Sequence, residues 1–201
     1  MDQPQALKTM HEAFYQFNWG NPDCYANYIA QSYYYINHST RLLAFAAGLT
    51  KDSEKNLFKR MAKHVSEEMS HEVLCIRDLT GLGRRLEEFP ELPETQAFYE
   101  SQYYRIQSQG AVALLGYVYA LETAACMVGP RILKDKVEKI YGPSCSRFLK
   151  VHAEEDPDHV EKAREAIISS SNEDKKIIIR NIEITAVLFQ GILGAVERQK
   201  T

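Results

Sequence analysis

His152, Asp156 and His159 form the spacing H-x3-D-x2-H. An α-helix turns about 100° per residue, so offsets of 0, 4 and 7 fall within about 60° of one another on one face. Two imidazoles and a carboxylate converging on one point are the ligand set expected of non-heme iron or another transition metal. A second set, His64, Glu67, Glu68 and His71, is also expected on a single helix face, and Glu68-x2-His71 repeats the carboxylate–imidazole pairing. Glu122 is alone among Leu114, Leu115, Tyr117, Val118, Leu121 and Ala125. A carboxylate there is costly unless it faces a groove, bonds a Tyr or Arg, or holds a metal. Each of the two larger sets also has a plainer reading as a solvated charged face, since Lys63 and Glu72 flank one and Glu154, Glu155, Asp158 and Glu161 flank the other. The same chemistry three times in one chain favours the metal: inward-facing carboxylates and imidazoles from several helices are what a two-metal bundle needs.

The elements that must position these groups are helical throughout. Asn21-Pro22-Asp23 reads as an N-cap, a Pro at the first turn and an acid at the positive helix end. The punctuation predicts helices over about 3–17, 21–47, 53–79, 94–107, 111–128, 130–141, 144–168 and 173–198. Gly48 closes the second, Gly129-Pro130 separates the fifth from the sixth, and Gly142-Pro143-Ser144 repeats that device. Pro157 directly follows Asp156 and weakens a regular helix by about 3 kcal/mol. A kink is expected there, with residues of about 150–162 gaining order when metal binds.

Composition narrows the function classes. The chain has 201 residues, enough for one domain (1–201) with a real core. A net charge of −3 with scattered Lys and Arg argues against nucleic acid as a partner. The apolar stretch 111–128 contains Gly116 and Glu122 and reads as a buried helix, so no membrane partner is expected. The N-terminal residues lack an apolar signal region, which predicts a cytoplasmic protein. Cys24, Cys75, Cys126 and Cys145 show no C-x2-C spacing and are expected to be free buried thiols. The many tyrosines, including Tyr33, Tyr34, Tyr35, Tyr103, Tyr104, Tyr117 and Tyr119, are expected mostly in helix packing. Arg41 is a candidate for pairing with a substrate carboxylate, against a structural salt bridge as the plainer reading.

Taken in order, Glu68-x2-His71, the lone Glu122 and the final H-x3-D-x2-H resemble the heme-oxygenase-like diiron oxidases and oxygenases, over about residues 22–165. The segments YIAQSYYYINHSTRLLAFAAGL and HVSEEMSHEVLCIRDLTGLG resemble that superfamily too. The resemblance implies an all-α, heme-oxygenase-like helical bundle of seven to eight helices. It implies two Fe(II) ions per chain held by Glu68, His71, Glu122, His152, Asp156 and His159, with O2 as co-substrate. It further implies oxidation of a small carboxylate-bearing molecule such as an amino acid or a fatty acid. Some relatives carry a carboxylate at the position of His64, which leaves open which of Glu67 and Glu68 is the ligand; Glu67 and His64 are second-choice ligands or partners that orient the ligands. A homodimer is expected from the resemblance and from apolar Ile177, Ile178, Ile179, Ile182 and Ile184 on the last helix. A true heme oxygenase would need a proximal His near the N-terminus, and His11 and His38 have no companion pattern. Alternatives are a metal-free thiaminase-like or ligand-binding protein of the same fold, for which Cys126 lies four residues after Glu122, and an iron-binding protein without turnover.

Overall fold

The computed structural model describes residues 4–199, apart from the side chains of residues 155–158. Among the described residues there are ten α-helices and no strand. They are α1 (Gln5–Gln16), α2 (Pro22–Ile36), α3 (Ser39–Gly48), α4 (Lys55–Glu67), α5 (Glu72–Gly81), α6 (Pro93–Gln109), α7 (Leu114–Ile132), α8 (Glu138–Tyr141), α9 (Arg147–Ser169) and α10 (Asn172–Arg198). The expected punctuation is mostly where the helices end. Asn21 Oδ1 accepts from the N–H groups of Asp23 and Cys24, at 2.9 and 3.1 Å, ahead of Pro22. Gly110 and Gly142 adopt left-handed backbones (φ 91° and 77°) just before α7 and before the turn into α9, a conformation that costs a side-chain-bearing residue.

Three boundaries differ from expectation. The helix expected over 21–47 is broken at Asn37 and His38. Contacts from α6 hold that corner: the His38 ring stacks on Tyr99 with centroids 3.8 Å apart, and His38 Nδ1 lies 3.0 Å from the Tyr103 hydroxyl. The helix expected over 53–79 is broken between Glu67 and Glu72, inside the expected His/Glu set. By contrast, Gly129-Pro130 does not end a helix. α7 continues through Pro130 to Ile132 and passes into a wider π-turn, Leu133–Val137. That helix tolerates the N–H missing at Pro130.

α7 is the central rod and packs against α9, α10 and α1. A Cβ on Gly116 would sit 2.5 Å from the Ile178 carbonyl oxygen, so the absent side chain is what lets α7 and α10 approach. The buried Asn181 amide donates to Gln102 Oε1 (2.8 Å) and to the Ala113 carbonyl (2.7 Å), tying α10 to α6 and to the start of α7. Two helical stretches, Ala111–Tyr141 and Asn172–Arg198, are long and apolar enough to cross a membrane; the first is largely buried in the bundle and carries Glu122. Ile178 and Ile182 are fully buried in the protein's own core, which leaves only Ile177, Ile179 and Ile184 as half-buried members of the expected apolar surplus. Cys24, Cys75 and Cys145 are free and buried, and Cys126 is half-buried.

One interaction sets where α9 starts. Ser146 precedes α9 without capping it through its side chain. The cap comes instead from α5: Asp78 accepts from the N–H groups of Arg147 (3.0 Å) and Phe148 (2.9 Å). At the end of α5, a Cβ on Gly81 would lie 2.7 Å from the Ser144 carbonyl oxygen, so the two segments touch backbone to backbone. Burial raises the Asp78 pKa, partly offset by the two N–H groups and the Arg147 guanidinium.

Asp78→Ala leaves two helix N–H groups without an acceptor and is expected to cost about 2–3 kcal/mol in urea unfolding; a loss below about 0.5 kcal/mol would show that Asp78 does not cap α9. Because the folded pKa is raised, the folded state takes up the proton at higher pH than the unfolded chain. The Asp78 contribution therefore falls as pH rises from about 3.9 through the raised value. Asp78→Asn should remove that slope from the stability–pH profile.

Candidate metal centre

The break between α4 and α5 builds the site. Glu68 is the C-cap of α4, Ser70 takes a left-handed backbone (φ 72°), and α5 begins at Glu72. The single face expected for His64, Glu67, Glu68 and His71 is therefore two short faces meeting at Glu68. Its two oxygens serve different imidazoles: Oε1 is 3.3 Å from His64 Nε2, and Oε2 is 3.5 Å from His71 Nδ1. On an uninterrupted helix these residues would lie along one stripe. A non-glycine residue in the left-handed region costs about 1 kcal/mol or more, and here that strain sits inside the ligand motif.

α7 and α9 complete the cluster. Glu122 is buried; its Oε1 lies 3.3 Å from His64 Nε2 and 3.6 Å from His159 Nδ1. His159 Nε2 is 3.5 Å from Glu67 Oε2. The His64 and His159 rings are 4.9 Å apart, and those of His71 and His152 are 5.0 Å apart. Two groups result, each with donor atoms within 4.8 Å of one another: His64, Glu68 and His159, and Glu68, His71 and His152. Glu68 belongs to both. Of the sequence candidates, Glu68, His71, Glu122, His152 and His159 come together, and the second choices His64 and Glu67 are in direct contact with them. Asp156 lies between His152 and His159 along α9, and its side chain is outside the described residues, as is Pro157. The expected kink and ordering near Pro157 therefore concern a stretch whose side chains lie outside that description, although α9 itself runs through it.

The protonation pattern suits cation binding. His152 Nδ1 lies 2.9 Å from the Phe148 carbonyl. A carbonyl only accepts, so Nδ1 carries a proton, and Nε2 is the ring atom that can offer a lone pair to a cation once it is deprotonated. Burial alone would raise the Glu68 pKa, but hydrogen bonds from His64 and His71 and the charge of His152 outweigh it and hold the carboxyl well below the usual carboxylate range. Glu67 is also lowered; burial opposes this, and a hydrogen bond from Lys63 with the charge of His159 prevails. Arg60, one turn before His64, is half-buried. Desolvation lowers its pKa while the charges of Glu122 and Glu67 oppose that shift. Carboxylates and imidazoles in this density, bound to one another at 3.3–3.6 Å, fit a two-metal donor set of hard oxygen and imidazole ligands.

The cluster opens into a cavity of about 90 Å³. His64, Glu68, Glu122 and His152 form one side of it, and the rest is largely aliphatic and aromatic, including Leu42, Leu43, Val118, Phe148 and Leu149. Among the described residues no Lys or Arg lines it. Arg41 is exposed and elsewhere, so it is not the expected carboxylate partner. Cys126 does not line the cavity either; its Sγ lies 4.0 Å from the Thr123 carbonyl. Sequence reasoning missed Asp78, and the second-choice His64 lies as near to Glu68 as His71 does. Asp78 lies seven residues after His71, a helical spacing that puts both on one face of α5, which was the available signal.

Residues 26–183 match the family described as iron-containing redox enzyme, and the chain belongs to that family. No curated protein matches it. Among solved structures, a domain of unknown function with a heme oxygenase-like fold from Shewanella denitrificans OS217 superposes with a TM-score of 0.85 at 23% identity, covering 96% of this chain and 90% of that one. A TenA homologue from Pseudomonas syringae pv. tomato DC3000 gives 0.80 at 14% identity, over 96% and 88%. A CADD-like protein of unknown function from Nostoc punctiforme PCC 73102 gives 0.69 at 16%, over 95% and 86%. These likenesses establish the heme-oxygenase-like fold.

Ser70→Gly is expected to raise stability by up to about 1 kcal/mol in thermal unfolding of the metal-free protein, because glycine adopts the left-handed backbone without the Cβ clash. A clear loss of stability would show that the Ser70 side chain contributes more than its backbone costs.

Proposed function

We propose that this protein is an O2-dependent non-heme iron oxidase or oxygenase with two Fe(II) sites that share Glu68. The observation that carries the reading is the position of that carboxylate, between His64 and His159 on one side and His71 and His152 on the other, at the wall of an apolar cavity. His64, His159 and Glu122 would hold one ion and His71 and His152 the other, with Asp156 and Glu67 as further carboxylates. Ferrous iron, when bound, would supply electrons for the reduction of dioxygen. The chain's own contribution is to fix the imidazole tautomers, as the Phe148 carbonyl does for His152, and to keep bulk water from the cavity through its apolar walls.

The lining also bears on the substrate. An amino acid would bring an ammonium group into a cavity whose only charged lining residues, among those described, are those of the cluster itself. An aliphatic acid needs one polar end and an apolar body, which fits those walls better. We therefore favour a short fatty acid over an amino acid, with its carboxylate toward the cluster. The thiaminase-like alternative gains little, since Cys126 is not on the cavity wall.

Anaerobic titration with Fe(II) should give two ions per chain, about one for His64→Ala or His152→Ala, and none held tightly by Glu68→Ala. Oxygen uptake by the iron-loaded protein should rise on adding short saturated fatty acids and not on adding amino acids. Absence of iron binding would favour the metal-free alternative, and iron binding without oxygen uptake a non-catalytic iron protein. The homodimer belongs to the same proposal and rests on half-buried Ile177, Ile179 and Ile184; light scattering is expected to give twice the 23.0 kDa chain mass, and a monomer would remove it.

A further inference from the structure

The cavity wall carries one polar group that the metal centre does not use. Tyr28, Tyr35 and Tyr117 all line the cavity. The Tyr35 hydroxyl donates to Ser32 Oγ at 3.3 Å, and Tyr28 also bonds Ser32. The Tyr117 hydroxyl is buried and has no hydrogen-bond partner among the described residues. Its ring is held against Phe98, with centroids 5.2 Å apart. Buried hydroxyls in folded proteins are nearly always satisfied, so an unmet one on a cavity wall points to the cavity's occupant as its partner.

Which kind of partner follows from the surroundings. Burial, with smaller contributions from Tyr35 and Glu68, raises the Tyr117 pKa well above that of a free phenol, so the group remains a protonated donor. Tyr117 lines the same cavity as His64, Glu68, Glu122 and His152. A donor there requires an acceptor oxygen on the ligand, and among the described residues no basic side chain lines the cavity to compete for it.

We infer that Tyr117 is a substrate-binding residue whose hydroxyl donates a hydrogen bond to a carboxylate oxygen of the acid lying in the cavity. This rests on the reading of the site as one for an aliphatic acid. It adds a specificity determinant: an acid oxygen must lie at the α7 wall, and a hydrocarbon without one leaves the Tyr117 hydroxyl unsatisfied. Discrimination by a buried donor left unpaired exceeds what apolar contacts alone provide.

The test is calorimetric titration of octanoate into the Fe(II)-loaded protein under anaerobic conditions, for wild type and Tyr117→Phe. A hydrogen bond to a charged acceptor corresponds to a loss of about 10- to 100-fold in affinity. Thermal unfolding of the metal-free, ligand-free proteins is the second readout. Removing a hydroxyl that has no protein partner should leave the melting temperature unchanged or raise it, whereas a structural role for the hydroxyl would lower it. Weaker octanoate binding with undiminished stability supports the assignment. Equal octanoate affinity in both proteins overturns it while leaving the aliphatic-acid reading intact. A wild type that binds iron but not octanoate overturns both. Weaker binding accompanied by a lower melting temperature assigns Tyr117 to the scaffold and overturns the binding role.

Discussion

A carboxylate buried with imidazoles at both of its oxygens is the constraint around which this bundle is arranged. Removing Glu68 from water would by itself favour its protonated form; His64, His71 and the charge of His152 reverse that preference. A buried charge persists only where partners are supplied, and here they come from three helices. α4 brings His64, α5 brings His71, and α9 brings His152 and His159, while α7 adds the second buried carboxylate, Glu122. The interruption between α4 and α5 follows from the same requirement. His71 reaches the second oxygen of Glu68 across the left-handed turn at Ser70. Strain in a ligand loop is tolerable when the surrounding helices determine its path.

The placement of α9 depends on groups remote from the donors. Asp78 caps its first turn, and Gly81 lets the end of α5 meet the turn at Ser144 without a side chain between them. Both contacts link the helix that starts beside His71 to the helix that carries His152. A shift of α9 by a fraction of a turn would move His152 and His159 together, since both sit on that one helix. The apolar cavity is subject to the same geometry, because Phe148 and Leu149 on its wall belong to the first turn of α9.

Much of this was legible in the sequence because helix periodicity and N-terminal capping are local. Asn21-Pro22, Gly110 and Gly142 announced their boundaries, and each is a boundary in the fold. The convergence of Glu68, His71, Glu122, His152 and His159 followed from spacing and from the family resemblance. What stayed hidden is what tertiary contact decides. Nothing local marks Ser70 as left-handed, since serine there is no stronger a helix breaker than serine elsewhere. The break at His38 is held by Tyr99 and Tyr103, which lie on a later helix. Pro130 read as a terminus because its ring usually ends a helix, yet α7 runs through it to Ile132. His64 ranked below His71 because the family resemblance matches its E-x2-H pair to Glu68 and His71; in the fold both imidazoles face the same carboxylate. The isoleucines of α10 read as a surface surplus because one helix cannot reveal which of its faces its neighbours cover.

Anomalous diffraction at the iron edge from crystals of the Fe(II)-loaded protein addresses the shared carboxylate most directly. Two peaks are expected, one beside His64 and His159 and the other beside His71 and His152, with Glu68 between them. A single peak, or two peaks that do not both adjoin Glu68, would contradict a pair of iron sites organised by that carboxylate.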